Sequence, residues 1–154
     1  MVDIIQMNEG HVQGILDTLC PAYYAEAYKE LTPSYEFAAI TIGNYLENNS
    51  VVAVDGDRVV AVASAICTNT YFIEQEFDVV MFYVHPDYRR SGVASAMRDA
   101  LITMKDFLGA KISYTSCLSG ISETNRKSFE NLWAKKGYKL LGTVMYKIEG
   151  NHGG

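Results

Sequence analysis

Asp78-Val79-Val80-Met81-Phe82-Tyr83-Val84-His85-Pro86-Asp87-Tyr88-Arg89-Arg90-Ser91-Gly92-Val93-Ala94-Ser95-Ala96-Met97 decides how this chain is read. An apolar, β-branched run stops at a proline. A short basic turn follows, then a glycine, then residues at helical spacing. The first turn of a helix leaves its N–H groups without intrahelical acceptors, and its dipole presents partial positive charge there. An anion, a phosphate above all, is the natural occupant of such a turn. Gly92 and Ala94 carry little bulk, so a phosphate could come close to the backbone, and Arg89 and Arg90 would add mobile positive charge. Taken singly, Pro86 and Gly92 only shape a strand-to-helix connection. Strand, proline, arginine pair, glycine, small residue and helix in series point to an anion-binding turn.

The flanking sequence supplies the frame. Val2 to Gln6 is expected to be a first strand. Val12, Ile15, Leu16 and Leu19 recur at helical spacing, and Pro21 should end or bend that helix. Ala22 to Leu31 is tyrosine-rich and gives no clear pattern. Pro33-Ser34 should open a second helix carrying Phe37, Ile40 and Leu46, which stops at Asn48-Asn49-Ser50. Val51 to Val54 and Arg58 to Cys67 are β-branched runs joined around Asp55-Gly56-Asp57, a strong hairpin signal. Asp78 to Val84 is a further strand and Val93 to Leu108 a helix, with Val93, Met97, Leu101, Met104 and Leu108 along one face. Ile112 to Cys117 is expected as a strand, and Thr124 to Lys136 as a helix with Phe129, Leu132 and Trp133 inward. Gly137 suits the residue after its end. Tyr138 to Leu141 and Thr143 to Ile148 should close the chain as strands. The fold class is therefore α/β, a central mixed sheet flanked by helices. Residues 1–149 are expected to form a single domain and 150–154 a flexible tail.

Composition narrows the function classes. The chain has 154 residues, 49% hydrophobic and 20% charged, with a net charge of -5, an ordinary globular balance. An acidic chain of this kind gives no general reason to bind nucleic acid or an anionic membrane. Cys20, Cys67 and Cys117 are odd in number and widely spaced, unlike a disulfide framework or a zinc site. His11, His85 and His152 are scattered, and no metal site is indicated. The amino terminus lacks the pattern of a signal peptide, and apolar runs fall short of the about 20 residues that span a bilayer. A cytoplasmic location is the expectation. A P-loop or dinucleotide-binding reading fails, because the turn has neither Gly-Lys-Ser/Thr nor a glycine triplet.

The quoted stretch resembles the central motif of the GNAT superfamily (GCN5-related N-acetyltransferases), Arg/Gln-x-x-Gly-x-Gly/Ala, with Arg89, Gly92 and Ala94 in its defined places. Val84-His85-Pro86 is similar to the family's usual strand ending, and Trp133-Ala134-Lys135-Lys136-Gly137-Tyr138 to its late helix-to-strand junction. The order of elements resembles the GNAT fold over nearly the whole chain. The resemblance implies acetyl-CoA as cosubstrate and transfer of its acetyl group to an amine on a small molecule, peptide or protein, by a monomer or homodimer. It implies that the backbone of Arg90, Ser91, Gly92, Val93, Ala94 and Ser95 holds the CoA pyrophosphate beside Arg89. Phe82, Tyr83 and Val84 would pair with the pantetheine arm like an added strand. A backbone N–H there would polarise the thioester carbonyl. Asn125 resembles an asparagine that opens the following helix in the family, one residue further from Gly137 than usual. Its plainer role is capping, shared with Thr124.

Amine acetylation needs a neutral amine, a fixed thioester and a route to reprotonate the thiolate. Asp78 opens the central strand, where histone-acetylating relatives, as the resemblance implies, carry a catalytic glutamate. It is the first candidate base, with Glu76 and Glu74 as alternatives. Solvated charges at a strand start are the competing account of all three. Many relatives use a tyrosine as the acid in the last helix, where this chain has Trp133, a residue that suits core packing. Tyr114 and Tyr146 are candidate substitutes. The missing tyrosine favours a second reading, a GNAT-like module kept for CoA binding or protein interaction. The intact turn favours the enzyme.

Overall fold

The protein, analysed as a computed structural model, is described over residues 1–115, 123–142 and 147–149, with the side chains of 123 and 124 excluded. Five strands, β1 (Val2–Gln6), β2 (Asn49–Asp55), β3 (Arg58–Thr68), β4 (Glu76–Val84) and β5 (Ile112–Thr115), form one sheet in sequential order. The first four are antiparallel to their neighbours, and β5 runs parallel to β4. A parallel neighbour cannot follow through a tight turn, and the crossover is the helix Val93–Leu108, α3 below. Gly56, with φ 65, makes the β2–β3 hairpin possible, because few other residues adopt that conformation without strain. From Val59 to Ala65 every residue of β3 is buried, because helices cover both faces. That is why β3 reads as a continuous β-branched run and not as an alternation.

Val12–Gly14, Ile15–Leu19 and Cys20–Glu26 follow one another as a single helical stretch, α1, with the middle piece wound as a π-helix. The helix thus continues past Pro21, which neither ends it nor marks its close. Proline lacks an N–H and crowds the carbonyl one turn back, and the wider π turn immediately before it relieves both demands. The tyrosine-rich stretch from Ala22 is therefore helical as far as Glu26. Ser34 caps α2 (Tyr35–Asn44) by accepting the N–H of Phe37 at 3.2 Å. Leu46 lies beyond α2, in a short 3-10 turn, Tyr45–Glu47. Of the apolar residues on α2, Ile42 is buried, whereas Phe37 and Ile40 are 70% and 58% exposed.

The sheet separates two cores. On one face α1 and α2 cover Val52, Val59, Val62 and Tyr83. On the other, α3 (Val93–Leu108) and α4 (Glu123–Ala134) pack on Ala61, Phe77, Val79 and Val84. The expected stripe of α3 is present: Met97 and Leu101 are fully buried, and Met104 and Leu108 are half-buried against the same core. Arg98, also on α3, is buried. It pairs with Asp99 at 2.9 Å and donates to the Leu132 carbonyl of α4 at 2.7 Å. A buried guanidinium is tolerable only with such partners, and this one ties the two helices together. Gly137, with φ 86, closes the end of α4 as its sequence position implies.

The closing strands need correction. Residues 138–142 follow α4 without regular structure, so Tyr138 to Leu141 is not a strand. Tyr138 instead packs its ring edge-on against Trp133, with centroids 4.9 Å apart, and its hydroxyl bonds the Ser113 side chain. Residues 143–146, 116–117 and the tail 150–154 lie outside the described residues. α4 is described from Glu123, which puts Thr124 and Asn125 within its first turn.

Candidate active site

The site is organised by an irregularity in β4. Ser64 faces Met81 and Ala65 faces Val79, so Val80 has no residue opposite it and forms a β-bulge. One extra residue reverses the inward-outward phase of everything beyond it. Phe77 and Val79 point into the core under α3 and α4. Past the bulge, Phe82 and Val84 take that face, and Met81 and Tyr83 turn to the α1–α2 face.

Over the described residues, β5 accompanies β4 up to the bulge. Their parallel register runs from Glu76↔Ile112 to Val79↔Thr115. From Val80 to Val84 that edge of β4 has no strand partner among the described residues. His85 N–H donates to Val60 carbonyl at 2.9 Å, which fixes the alternation of the β3–β4 ladder. The peptide groups of Tyr83 face β3, whereas those of Phe82 and Val84 face the open edge. Tyr83 therefore contributes its side chain, not its backbone, to the surroundings of this edge.

At the end of β4 the chain turns through His85 to Gly92 into α3. The turn is fastened from the scaffold side. The His85 ring accepts the Asp87 N–H at 3.2 Å, and Tyr88 donates its hydroxyl to Asp55 on the β2–β3 hairpin. Its other side is open. Arg90 and Gly92 both adopt positive φ, 71 and 90, a left-handed backbone of the kind found in anion-receptive turns, with the intervening Ser91 N–H donating to the Tyr88 carbonyl at 3.4 Å. A Cβ placed on Gly92 would meet nothing within 4 Å. Ala96 N–H to Gly92 carbonyl, at 3.0 Å, is the first bond of α3, so the N–H groups before it have no helical acceptor. Arg90, Ser91 and Gly92 are exposed, and Arg90 forms no ion pair among the described residues.

Arg89 departs from its expected role as a mobile charge at the turn. Its guanidinium pairs with Glu26 of α1 at 2.8 Å, its Nε donates to the Val84 carbonyl at 3.1 Å, and it lies 5.4 Å from the centre of the Tyr83 ring. The cause is the half-buried carboxylate of Glu26, which needs a cation; nothing in the local sequence near Arg89 announces a partner 63 residues away. Arg89 fastens the turn to α1.

The carboxylates gather at the other end of β4. Glu76 and Asp78 share one face, and Tyr114 on β5 lies directly beside Asp78 in the register. Asp78 is exposed on that face; partial desolvation, then the charge of Glu76, raises its carboxyl above the ordinary value. Glu74 is exposed and precedes the strand. Tyr146 lies outside the described residues. Six residues separate Asp78 from Val84, about 20 Å of strand.

Trp133 is 2% exposed and packs against Phe82, Phe129 and Tyr138. It fills the core between α4 and the open half of β4. Trp133→Ala should lower the unfolding free energy by about 3–5 kcal/mol, measurable by urea denaturation. A loss below about 1 kcal/mol would mean that the ring is not a core element.

A cavity of about 530 Å³ lies on the α1–α2 face of the sheet. Tyr23, Tyr24, Tyr45, Phe37, Met81 and Tyr83 are among the side chains that bound it. Burial, then the nearby Glu26 carboxylate, pushes the Tyr83 phenol up to about 12, so it stays protonated at any working pH. The sequence signal for this cavity was the tyrosine-rich stretch after Pro21, which had no interpretable period.

Among the described residues no three His, Cys, Asp or Glu side chains are grouped to hold a metal, and no helix is long and apolar enough to cross a membrane. The chain's fold is shared by an aminoglycoside N-acetyltransferase, AAC(6')-Iy, in complex with CoA, at 16% identity and a TM-score of 0.71, covering 97% of this chain and 95% of that one. It is shared by an acetyltransferase of Trypanosoma brucei, at 16% identity and a TM-score of 0.69, covering 96% and 99%. Glucosamine-6-phosphate N-acetyltransferase from Arabidopsis thaliana is similar too, at 11% identity and a TM-score of 0.67, covering 97% and 99%. No curated protein sequence matches this one significantly. The model of the acetyltransferase (GNAT) domain family matches residues 47–149, from the start of the β2–β3 hairpin past α4. The chain belongs to the GNAT acetyltransferase family, and its chemistry is acetyl-CoA-dependent N-acetyl transfer.

Proposed function

We propose that this chain moves an acetyl group directly from acetyl-CoA to an amine across the bulged centre of β4. The observation that carries the reading is one of placement: an anion-receptive turn and a strand edge with no partner among the described residues lie end to end on β4. A long cosubstrate with a charged pyrophosphate and an amide-bearing arm needs both together. Backbone N–H groups from Arg90 to Ser95 would hold the pyrophosphate, and the space above Gly92 admits it. Phe82 would pair with the arm through its peptide groups and Val84 through its N–H, the Val84 carbonyl being held by Arg89. Arg89 keeps the turn in place through Glu26, and Asn125, near the start of α4, is a further candidate contact for the cosubstrate.

Chemistry would follow near Val80. Asp78, kept close to Glu76 and Tyr114, takes a proton from the ammonium form of the acceptor, directly or through water. The neutral amine attacks the thioester carbonyl carbon, whose oxygen a β4 N–H would stabilise as charge develops. The carbon–sulfur bond then breaks and the thiolate leaves. The attacking nitrogen gives up its second proton as the amide forms, and that proton, relayed through Tyr114, Tyr146 or water, returns to the thiolate. The raised Asp78 carboxyl suits a base, because a carboxylate at its ordinary value is a poor proton acceptor.

Calorimetry with CoA and with acetyl-CoA, followed by thiol release over a screen of amines, tests the reading. Binding of both nucleotides with amine-dependent thiol release is the expected result. Binding without release across a broad screen would instead establish a CoA-binding module. A cytoplasmic enzyme acting as a monomer or homodimer completes the proposal.

A further inference from the structure

We infer that the acceptor is an amine carried on an uncharged, apolar body of aromatic size, seated in the cavity between α1, α2 and β4. The inference rests on the acetyl-transfer reading above and adds the substrate class. The cavity, about 530 Å³, falls within the range of small-molecule sites, about 300–1,000 Å³. Its described lining contains no aspartate and no glutamate. Lys29 is the one charged side chain in it, and its ammonium donates back to the Ala25 carbonyl. A polycation placed there would lose hydration with no carboxylate to replace it.

What the walls offer is aromatic surface, already organised. Tyr23 meets Tyr83 edge to face, with centroids 5.6 Å apart at 83°, and Tyr24 is braced by Tyr35, outside the lining, at 5.5 Å and 78°. Rings held in this way present faces and edges to a further ring without fresh loss of rotamer freedom. Glu26, next to the lining residue Ala27 in the chain and outside the lining, is committed to Arg89. The bulge at Val80 places Met81 and Tyr83, which bound the cavity, on the same face of β4 as Asp78. Met81 lies three residues from Asp78, about 10 Å along the strand. An acceptor with its body among the tyrosines and its amine on a short alkyl arm would point that amine toward the candidate base.

The test uses the full chain and three probes: 2-phenylethylamine, the polyamine spermidine and the aminoglycoside neamine. Thiol release from acetyl-CoA should give a kcat/KM for 2-phenylethylamine at least tenfold above those of spermidine and neamine. Saturation-transfer NMR should show contact between its ring protons and the protein even without CoA. Thr41→Glu adds a carboxylate to an exposed lining position on α2 and should reverse the order, lowering kcat/KM for 2-phenylethylamine and raising that for spermidine. Turnover of spermidine or neamine equal to or above that of 2-phenylethylamine would overturn the substrate class while leaving acetyl transfer standing. Absence of ring contact in the NMR arm overturns it as well. Failure of acetyl-CoA to bind in calorimetry would strike the functional reading instead, and the NMR arm still decides the cavity's preference.

Discussion

Asp78→Asn is expected to lower the rate of acetyl transfer by roughly 10²–10⁴-fold, with acetyl-CoA affinity nearly unchanged. The amide keeps the shape of the side chain and removes its capacity to accept a proton. Acetyl-CoA affinity should hold because Asp78 stands about 20 Å along β4 from the pyrophosphate turn. The pH profile adds an independent check. Partial desolvation first and Glu76 second raise the Asp78 carboxyl, so activity should climb as pH rises through that raised value, where the carboxylate forms. Glu76→Gln removes one of the two raising influences and should move this acid limb to lower pH while turnover at its plateau persists. Near-normal turnover in Asp78→Asn would take Asp78 out of the mechanism. An unmoved limb in Glu76→Gln would show that the titrating group is elsewhere.

Gly92→Glu should weaken CoA binding by roughly a hundredfold or more, since placing like charges together costs several kcal/mol and each 1.4 kcal/mol is a factor of ten. The glycine sits at the start of α3, with open space above it. A carboxylate there would occupy the turn and repel the pyrophosphate. Two effects must be separated, because Gly92 also has φ 90, where any other residue is strained by about 1–3 kcal/mol. Gly92→Ala carries the strain without the charge. It should cost stability in urea denaturation yet retain most of the affinity seen by calorimetry. Unchanged CoA affinity in Gly92→Glu would remove the turn from cosubstrate binding.

Local sequence carried the elements whose signals are local. The α3 boundaries, Val93 and Leu108, follow from a left-handed glycine at each end, Gly92 and Gly109, and a stripe of five apolar residues between them. The Asp55-Gly56-Asp57 hairpin likewise follows from residues that fix their own turn. The anion-receptive turn was legible for the same reason, since backbone geometry at a helix start depends on the few residues around it. Trp133 as a core residue was legible from its stripe with Phe129 and Leu132.

Tertiary packing decided the rest. Pro21 interrupts the hydrogen-bond ladder of an ordinary helix, and the π turn that accommodates it depends on how α1 lies on β3. Tyr138 was expected in a strand, but contact with Trp133 and Ser113 holds it elsewhere. The bulge at Val80 leaves no mark in an unbroken apolar run, because it is a mismatch between two strands and belongs to neither alone. That bulge turns Tyr83 from one core to the other. Arg89 looks like a phosphate ligand in sequence, and becomes a strut only once Glu26 is folded beside it. By itself, then, the sequence determined the family, the turn and the order of elements, because short-range sterics and hydrogen bonding encode them. The open edge, the aromatic cavity and the inward Arg89 arise from contacts between residues far apart in the chain, and only the folded structure brings those together.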